Sequence, residues 1–169
     1  MRNLTQDNAV KKIVINRPGG YGRLRIKEFP TPTPQNHEVL IEVSAAGVNF
    51  ADVFVRLGLY KSGKEFVGWP ITPGFEFSGK VIKCGRDVAG LAEWTSVFGI
   101  TRFGAYASHL CVPESQVFAL PDASKFSSDD WAAFPAVFLT AYHGLFQNIV
   151  VRPEMKILVH SAAGGVGGA

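Results

Sequence analysis

Six residues near the end of the chain, Ala162-Ala163-Gly164-Gly165-Val166-Gly167, follow a G-x-G-x-x-G spacing with alanine in the first glycine place. Glycines at these intervals permit a tight turn and let backbone N–H groups close on a pyrophosphate at a helix N-terminus. The competing reading is an ordinary glycine-rich turn, and context decides between them. Upstream, "KILVH" is a short continuous apolar run of the kind that forms a strand buried on both faces of a parallel sheet, so strand then phosphate turn is the expectation. His160 and Ser161 open that turn and would make secondary contacts. Phosphate binding also uses the dipole of the following helix, and a ribose is held by a residue ~20 positions further on. Only Gly168 and Ala169 follow here, whereas a βαβ unit needs about 30 residues. The expectation is therefore the first strand and turn of such a unit and no more.

A second pairing with chemical potential, His109 and Cys111, lies two apart on an expected strand and could face one way. Two ligands with no third nearby read as ordinary strand residues, and no metal is expected. Cys84 and Cys111 are the only cysteines and sit in no paired motif, which fits reduced thiols better than a disulfide framework.

The elements that must position such a turn can be read from pattern and composition. At 169 residues, 47% hydrophobic and 18% charged, the chain has enough apolar material for a globular core. A formal charge of +3 with scattered Lys and Arg argues against a nucleic-acid surface. No run approaches the ~20 apolar residues that span a bilayer, and "MRNLTQDNAVKK" lacks the apolar core of a secretory signal, so a cytoplasmic protein is the default.

Residues 1–126 look like β structure. "KKIVINRPGG", "RLRIKEF", "HEVLIEVSAAGVN", "FSGKVIKCG" and "AYASHLCVP" are short runs bounded by Gly or Pro, and Val39, Ile41 and Val43 share one face of the third. Such a succession suggests a sandwich or barrel. Across 127–169 the character changes. Ser127 with Asp130 is an N-cap with an acidic first turn, and Pro135 should end or kink that helix. "AVFLTAYHGLFQNIV" then suggests a largely buried helix, weakened by Gly144.

Taken together, "AAGVNFADVFVRLGLY", "PITPGFEFSGKVIKCG", "FPAVFLTAYHGLF" and "ILVHSAAGGVG" resemble the medium-chain dehydrogenase/reductase superfamily, and most of all its zinc-free quinone oxidoreductase branch of zeta-crystallin and the vesicle amine transport protein 1 group. The resemblance runs through nearly all of the chain in the family's order. It implies a mainly β, GroES-like barrel of the alcohol dehydrogenase N-terminal type over 1–126, followed over 127–169 by the helices, first strand and glycine turn of an incomplete α/β Rossmann domain.

The resemblance also implies a chemistry: NADPH-dependent hydride transfer from nicotinamide to a quinone or α,β-unsaturated carbonyl, by the intact protein and not by this chain alone. In zinc-dependent relatives a Cys stands at Asn49 and a His at Phe75; neither residue here is a zinc ligand of N or S type, and the four-Cys lobe of those relatives is missing. Glu76 remains from the zinc pattern, as a turn-stabilising or rim carboxylate or in a catalytic role. Asn49, whose amide both donates and accepts, suits a nicotinamide or ribose contact in a catalytic role, against a structural turn role, and Asp52 reads as a local cap or ion-pair partner more than as a catalyst.

Phe54 takes the place of a frequent Tyr and offers at most a stacking wall to the cofactor. Tyr60 either lines the substrate side or packs. Thr140 either meets the nicotinamide or bonds back to its own helix, with cofactor contact the favoured reading. The cofactor set is completed by Ser161, Ala162, Ala163, Gly164, Gly165, Val166 and Gly167. His143 and His37 read as unremarkable polar residues. "AEWTSVFGI" departs from the family's Gly-Asp-Arg-Val turn, which puts one barrel turn in question. Two functional expectations follow: a reductase acting on a quinone or enone, with homodimer formation or self-association through apolar segments, or a non-enzymatic scaffold that binds a partner.

Overall fold

The computed structural model describes residues 9–121 and 125–169. Among the described residues, seven strands form two antiparallel sheets. A hairpin joins β1 (Val10–Ile15) to β2 (Leu24–Phe29), paired in register from Val10 opposite Phe29 to Ile15 opposite Leu24. The five-stranded sheet is built from β3 (Glu38–Ala46), β4 (Glu76–Cys84), β5 (Ser96–Ile100), β6 (His109–Pro113) and β7 (Val117–Ala119) in the order β6-β3-β4-β5-β7. Each segment expected as a strand up to residue 113 is one; β6 buries alternate residues on one face, whereas β2 is mostly exposed and is held by its pairing with β1. Val39 and Ile41 are fully buried and Val43 packs beside them, around Phe77, Val81 and Val97. Burying a side chain such as Phe77 contributes about 1.5–3 kcal/mol.

A second apolar cluster, Ile15, Val55 and Ile71, ties the hairpin to α1 (Phe50–Leu57). Backbone bonds in both directions between Ile15 and Ile71, at 2.8 and 3.0 Å, close the structure on this side. The unusual "AEWTSVFGI" turn forms nonetheless. Trp94 adopts the left-handed conformation at φ 71° and donates its N–H to the Val81 carbonyl, while Val81 donates to Thr95. Helix α2 (Lys61–Phe66) follows α1 after Gly58, which ends α1 at φ 71° where a side chain would be strained and would meet Pro18.

The last part corrects two expectations. Ser127 and Asp130 do form a reciprocal capping box at the start of α3 (Ser128–Ala132). The break expected at Pro135 is present: α3 stops at Ala132, and Pro135 sits in the first turn of a new helix, α4 (Phe134–Tyr142), where its missing N–H costs no helical bond. Beyond Tyr142 the helix changes to a π-type turn over His143–Gln147, which contains Gly144, and it is not largely buried: Phe138, Leu139, Tyr142 and Phe146 are exposed. "KILVH" is no strand. Ile157, Leu158 and Val159 are exposed and irregular, since a strand needs a neighbour to take its backbone hydrogen bonds and none of the described residues pairs with this segment. After the glycine turn comes only the four-residue α5 (Gly165–Gly168). No helix among the described residues is long and apolar enough to cross a membrane.

Candidate active-site cleft

The site is built around the start of α1. Asn49 is its N-cap in extended conformation, and Asp52 three residues on reaches back to accept the Asn49 backbone N–H at 2.9 Å. Asp52 is buried and takes two further hydrogen bonds, from the Gly74 N–H at 3.0 Å and the Tyr106 hydroxyl at 2.9 Å. It is a structural hub, in keeping with the cap read from the sequence. Burial, and then the adjoining Asp52 charge, push the Tyr106 phenol well above its ordinary range, so it stays a donor.

The Asn49 side chain points the other way. Its Nδ2 donates to Glu76 Oε1 at 2.7 Å. Glu76 opens β4 and is 1% exposed; its other oxygen, Oε2, accepts the Ala136 N–H at 2.7 Å in the first turn of α4. One turn later the Thr140 hydroxyl donates to the Ala136 carbonyl at 2.6 Å, which is the helix back-bond weighed for it above.

Between α1, α4 and the glycine turn lies a cleft of about 430 Å³. Asn49, Tyr60, Thr140 and Val166 line it together, residues that stand up to 117 positions apart in sequence. Phe75 and Leu139 supply apolar walls. The Tyr60 ring packs on Phe75 at 5.5 Å and edge-on to Phe103 at 6.2 Å, so it both lines the cleft and belongs to an aromatic cluster. His143 also lines the cleft, at the point where α4 becomes the π-type turn. Sequence reasoning passed over it; its spacing of three from Thr140 on an expected helix was the available signal.

Other expected site residues are not brought in. Phe54 lies a turn further along α1, packs edge-on against Phe50 at 5.3 Å and does not line the cleft. Ser161, Ala162, Ala163, Gly164, Gly165 and Gly167 form the turn beside the cleft, with Val166 alone reaching its lining. That turn is tight: Ser161 is left-handed at φ 54°, the Gly164 N–H donates to the Ser161 carbonyl at 2.8 Å, and a Cβ at Gly165 would lie 2.8 Å from Val137 of α4.

The residues around Asn49 do not make a zinc donor set. The Asn49 amide nitrogen is spent on Glu76, and the Phe75 ring carries no ligand atom. Among the described residues no three His, Cys, Asp or Glu side chains converge as a metal site would need. His109 and Cys111 alternate along β6 with the buried Leu110 and Val112, and His109 is hydrogen-bonded to Ser108 at 3.1 Å.

The class suggested by this fold and cleft is matched by comparison. Residues 35–122 fit the family model "Alcohol dehydrogenase GroES-like domain". Mouse "Synaptic vesicle membrane protein VAT-1 homolog-like" is 39% identical over 160 residues, covering 95% of this chain and 37% of that protein. The crystal structure of CurK enoyl reductase superposes with a TM-score of 0.88 at 31% identity, over 95% of this chain and 49% of that one. The Escherichia coli quinone oxidoreductase complexed with NADPH superposes with a TM-score of 0.84 at 32% identity, over 93% and 47%. The chain therefore belongs to the alcohol dehydrogenase GroES-like domain family, within the quinone oxidoreductase branch of the medium-chain dehydrogenase/reductase superfamily. It spans about half the length of those solved structures and less of the mouse relative.

Proposed function

We propose that this chain forms the substrate wall and one edge of the cofactor site of an NADPH-dependent, zinc-independent oxidoreductase that reduces quinones or α,β-unsaturated carbonyls in the cytoplasm. Its parts are a GroES-like catalytic domain over 1–126 and, over 127–169, the start of a dinucleotide-binding domain. The observation that carries the reading is the meeting of Asn49, Tyr60, Thr140 and Val166 on one cleft with apolar walls.

NADPH, when bound, supplies the hydride from its nicotinamide ring. The residues present fit one edge of such a ligand. The glycine turn leaves no space for a side chain at Gly165, so backbone can come close, and Val166 brings that turn to the cleft. Asn49 orients the bound ring through its amide, held from behind by Glu76. Thr140, its proton directed to Ala136, offers its oxygen as an acceptor. Phe75 and Leu139 exclude water and suit a flat apolar substrate, and the Tyr60 hydroxyl is available to the oxygen on which charge develops.

The test is calorimetric titration with NADPH and NADH of this chain and of longer polypeptides that contain it, with and without Asn49→Ala. Loss of one charge-free hydrogen bond predicts about tenfold weaker NADPH binding for the variant. Unchanged affinity and quinone turnover in Asn49→Ala would remove Asn49 from the site.

A further inference from the structure

We infer that Glu76 is the positioning residue of this cleft, a buried carboxylate that sets the Asn49 amide and the start of α4 against one another. The inference rests on the reading above, since it concerns the same cleft. Both oxygens of Glu76 act as acceptors, one from Asn49 Nδ2 and one from the Ala136 N–H, each at 2.7 Å. Because an acceptor can bind only the nitrogen end of an amide, Glu76 dictates which end of Asn49 faces the sheet and which is left for α1 and the cleft.

The same carboxylate serves α4. The N-cap position Ala133 has no side chain able to cap, and Glu76 supplies the missing acceptor from a different element, with a negative charge at the positive end of the helix. Ala136, which Glu76 holds, is also the residue whose carbonyl holds Thr140. A continuous path thus runs from Asn49 through Glu76 and Ala136 to Thr140, joining two polar side chains that line the cleft. The position is over-determined sterically: a Cβ on Gly47 would collide with Glu76 Oε1 and with the Ala132 carbonyl. With the carboxylate 1% exposed, water cannot replace a lost partner, so a change at one end of the path is transmitted to the other.

The experiment reads the path directly in nitrogen-labelled protein without cofactor, so failure to bind NADPH leaves it standing. In the parent chain, Asn49→Ala shifts the Ala136 amide resonance and speeds its hydrogen exchange about tenfold, the loss expected when a shared acceptor re-orients. In Glu76→Gln the Asn49 side-chain amide signals move, and adding Asn49→Ala to that variant leaves Ala136 where it was. A purely structural Glu76 would lower the melting temperature of Glu76→Gln without linking Asn49 to Ala136. If Glu76→Gln does not fold, the Asn49→Ala measurement in the parent chain decides alone: an Ala136 amide that ignores Asn49→Ala overturns the inference.

Discussion

Gly47 stands directly against Glu76, with its own backbone N–H donating to the Glu76 carbonyl at 3.2 Å and no space for a Cβ between the Glu76 carboxylate and the Ala132 carbonyl. This contact makes glycine at 47 a requirement of the cleft. Gly47→Ala forces either Glu76 or α3 aside and is expected to destabilise the fold by about 1–3 kcal/mol, the usual cost of overpacking a filled site. Equilibrium urea unfolding checks it. A midpoint equal to that of the parent would show that the site yields freely.

The capping box at α3 has a pH signature. The Ser127 hydroxyl, and next its backbone N–H, favour the ionised Asp130 and lower its pKa below the ordinary value. The folded state then binds fewer protons than the unfolded one, so the contribution to α3 is complete above the ordinary carboxylate range and is lost as pH falls through the lowered folded value. In Ser127→Ala the larger cause is gone and the Asp130 pKa should rise towards the ordinary value. Carboxyl-carbon NMR titration reads this directly, and an unmoved titration curve would contradict it.

Cys111 is expected to be a sluggish thiol. Burial, then the nearby Glu38 charge, push it up to about 11, with Lys12 opposing. At pH 8 the thiolate fraction falls about a hundredfold below that of an ordinary cysteine, and labelling by a disulfide reagent slows in proportion. Cys84 is also raised, by burial and then by Glu93 and Glu114. Rapid labelling of Cys111 in native protein, as fast as after unfolding, would show that the strand opens readily.

The exposed row of Phe138, Tyr142 and Phe146 on α4 and its π-type extension is larger than isolated surface apolar residues need. This chain should self-associate through that face and bind an apolar dye, and Phe146→Ser should weaken both. Light scattering across a concentration series is the measure. A monodisperse monomer at all concentrations would refute the expectation.

Much of this protein was legible from sequence because the signals were local. Period-two alternation in "HEVLIEV" fixes which of Val39, Leu40 and Ile41 share a face, and a Ser followed at three residues by an acid can close a capping box within one turn. The capping role of Asp52 was visible for the same reason, whereas the place of Asn49 as the N-cap it serves came from the structure. What the tertiary structure decided is what joins distant segments. That Glu76 bridges Asn49 to Ala136, 27 and 60 positions away, depends on the start of β4 lying within hydrogen-bond reach of the first residues of both α1 and α4. His143 lines the cleft and Phe54 does not, a difference that sequence spacing alone does not settle. "KILVH" carries the apolar composition of a strand, yet strand geometry is completed only by a neighbour's backbone, and composition cannot provide one.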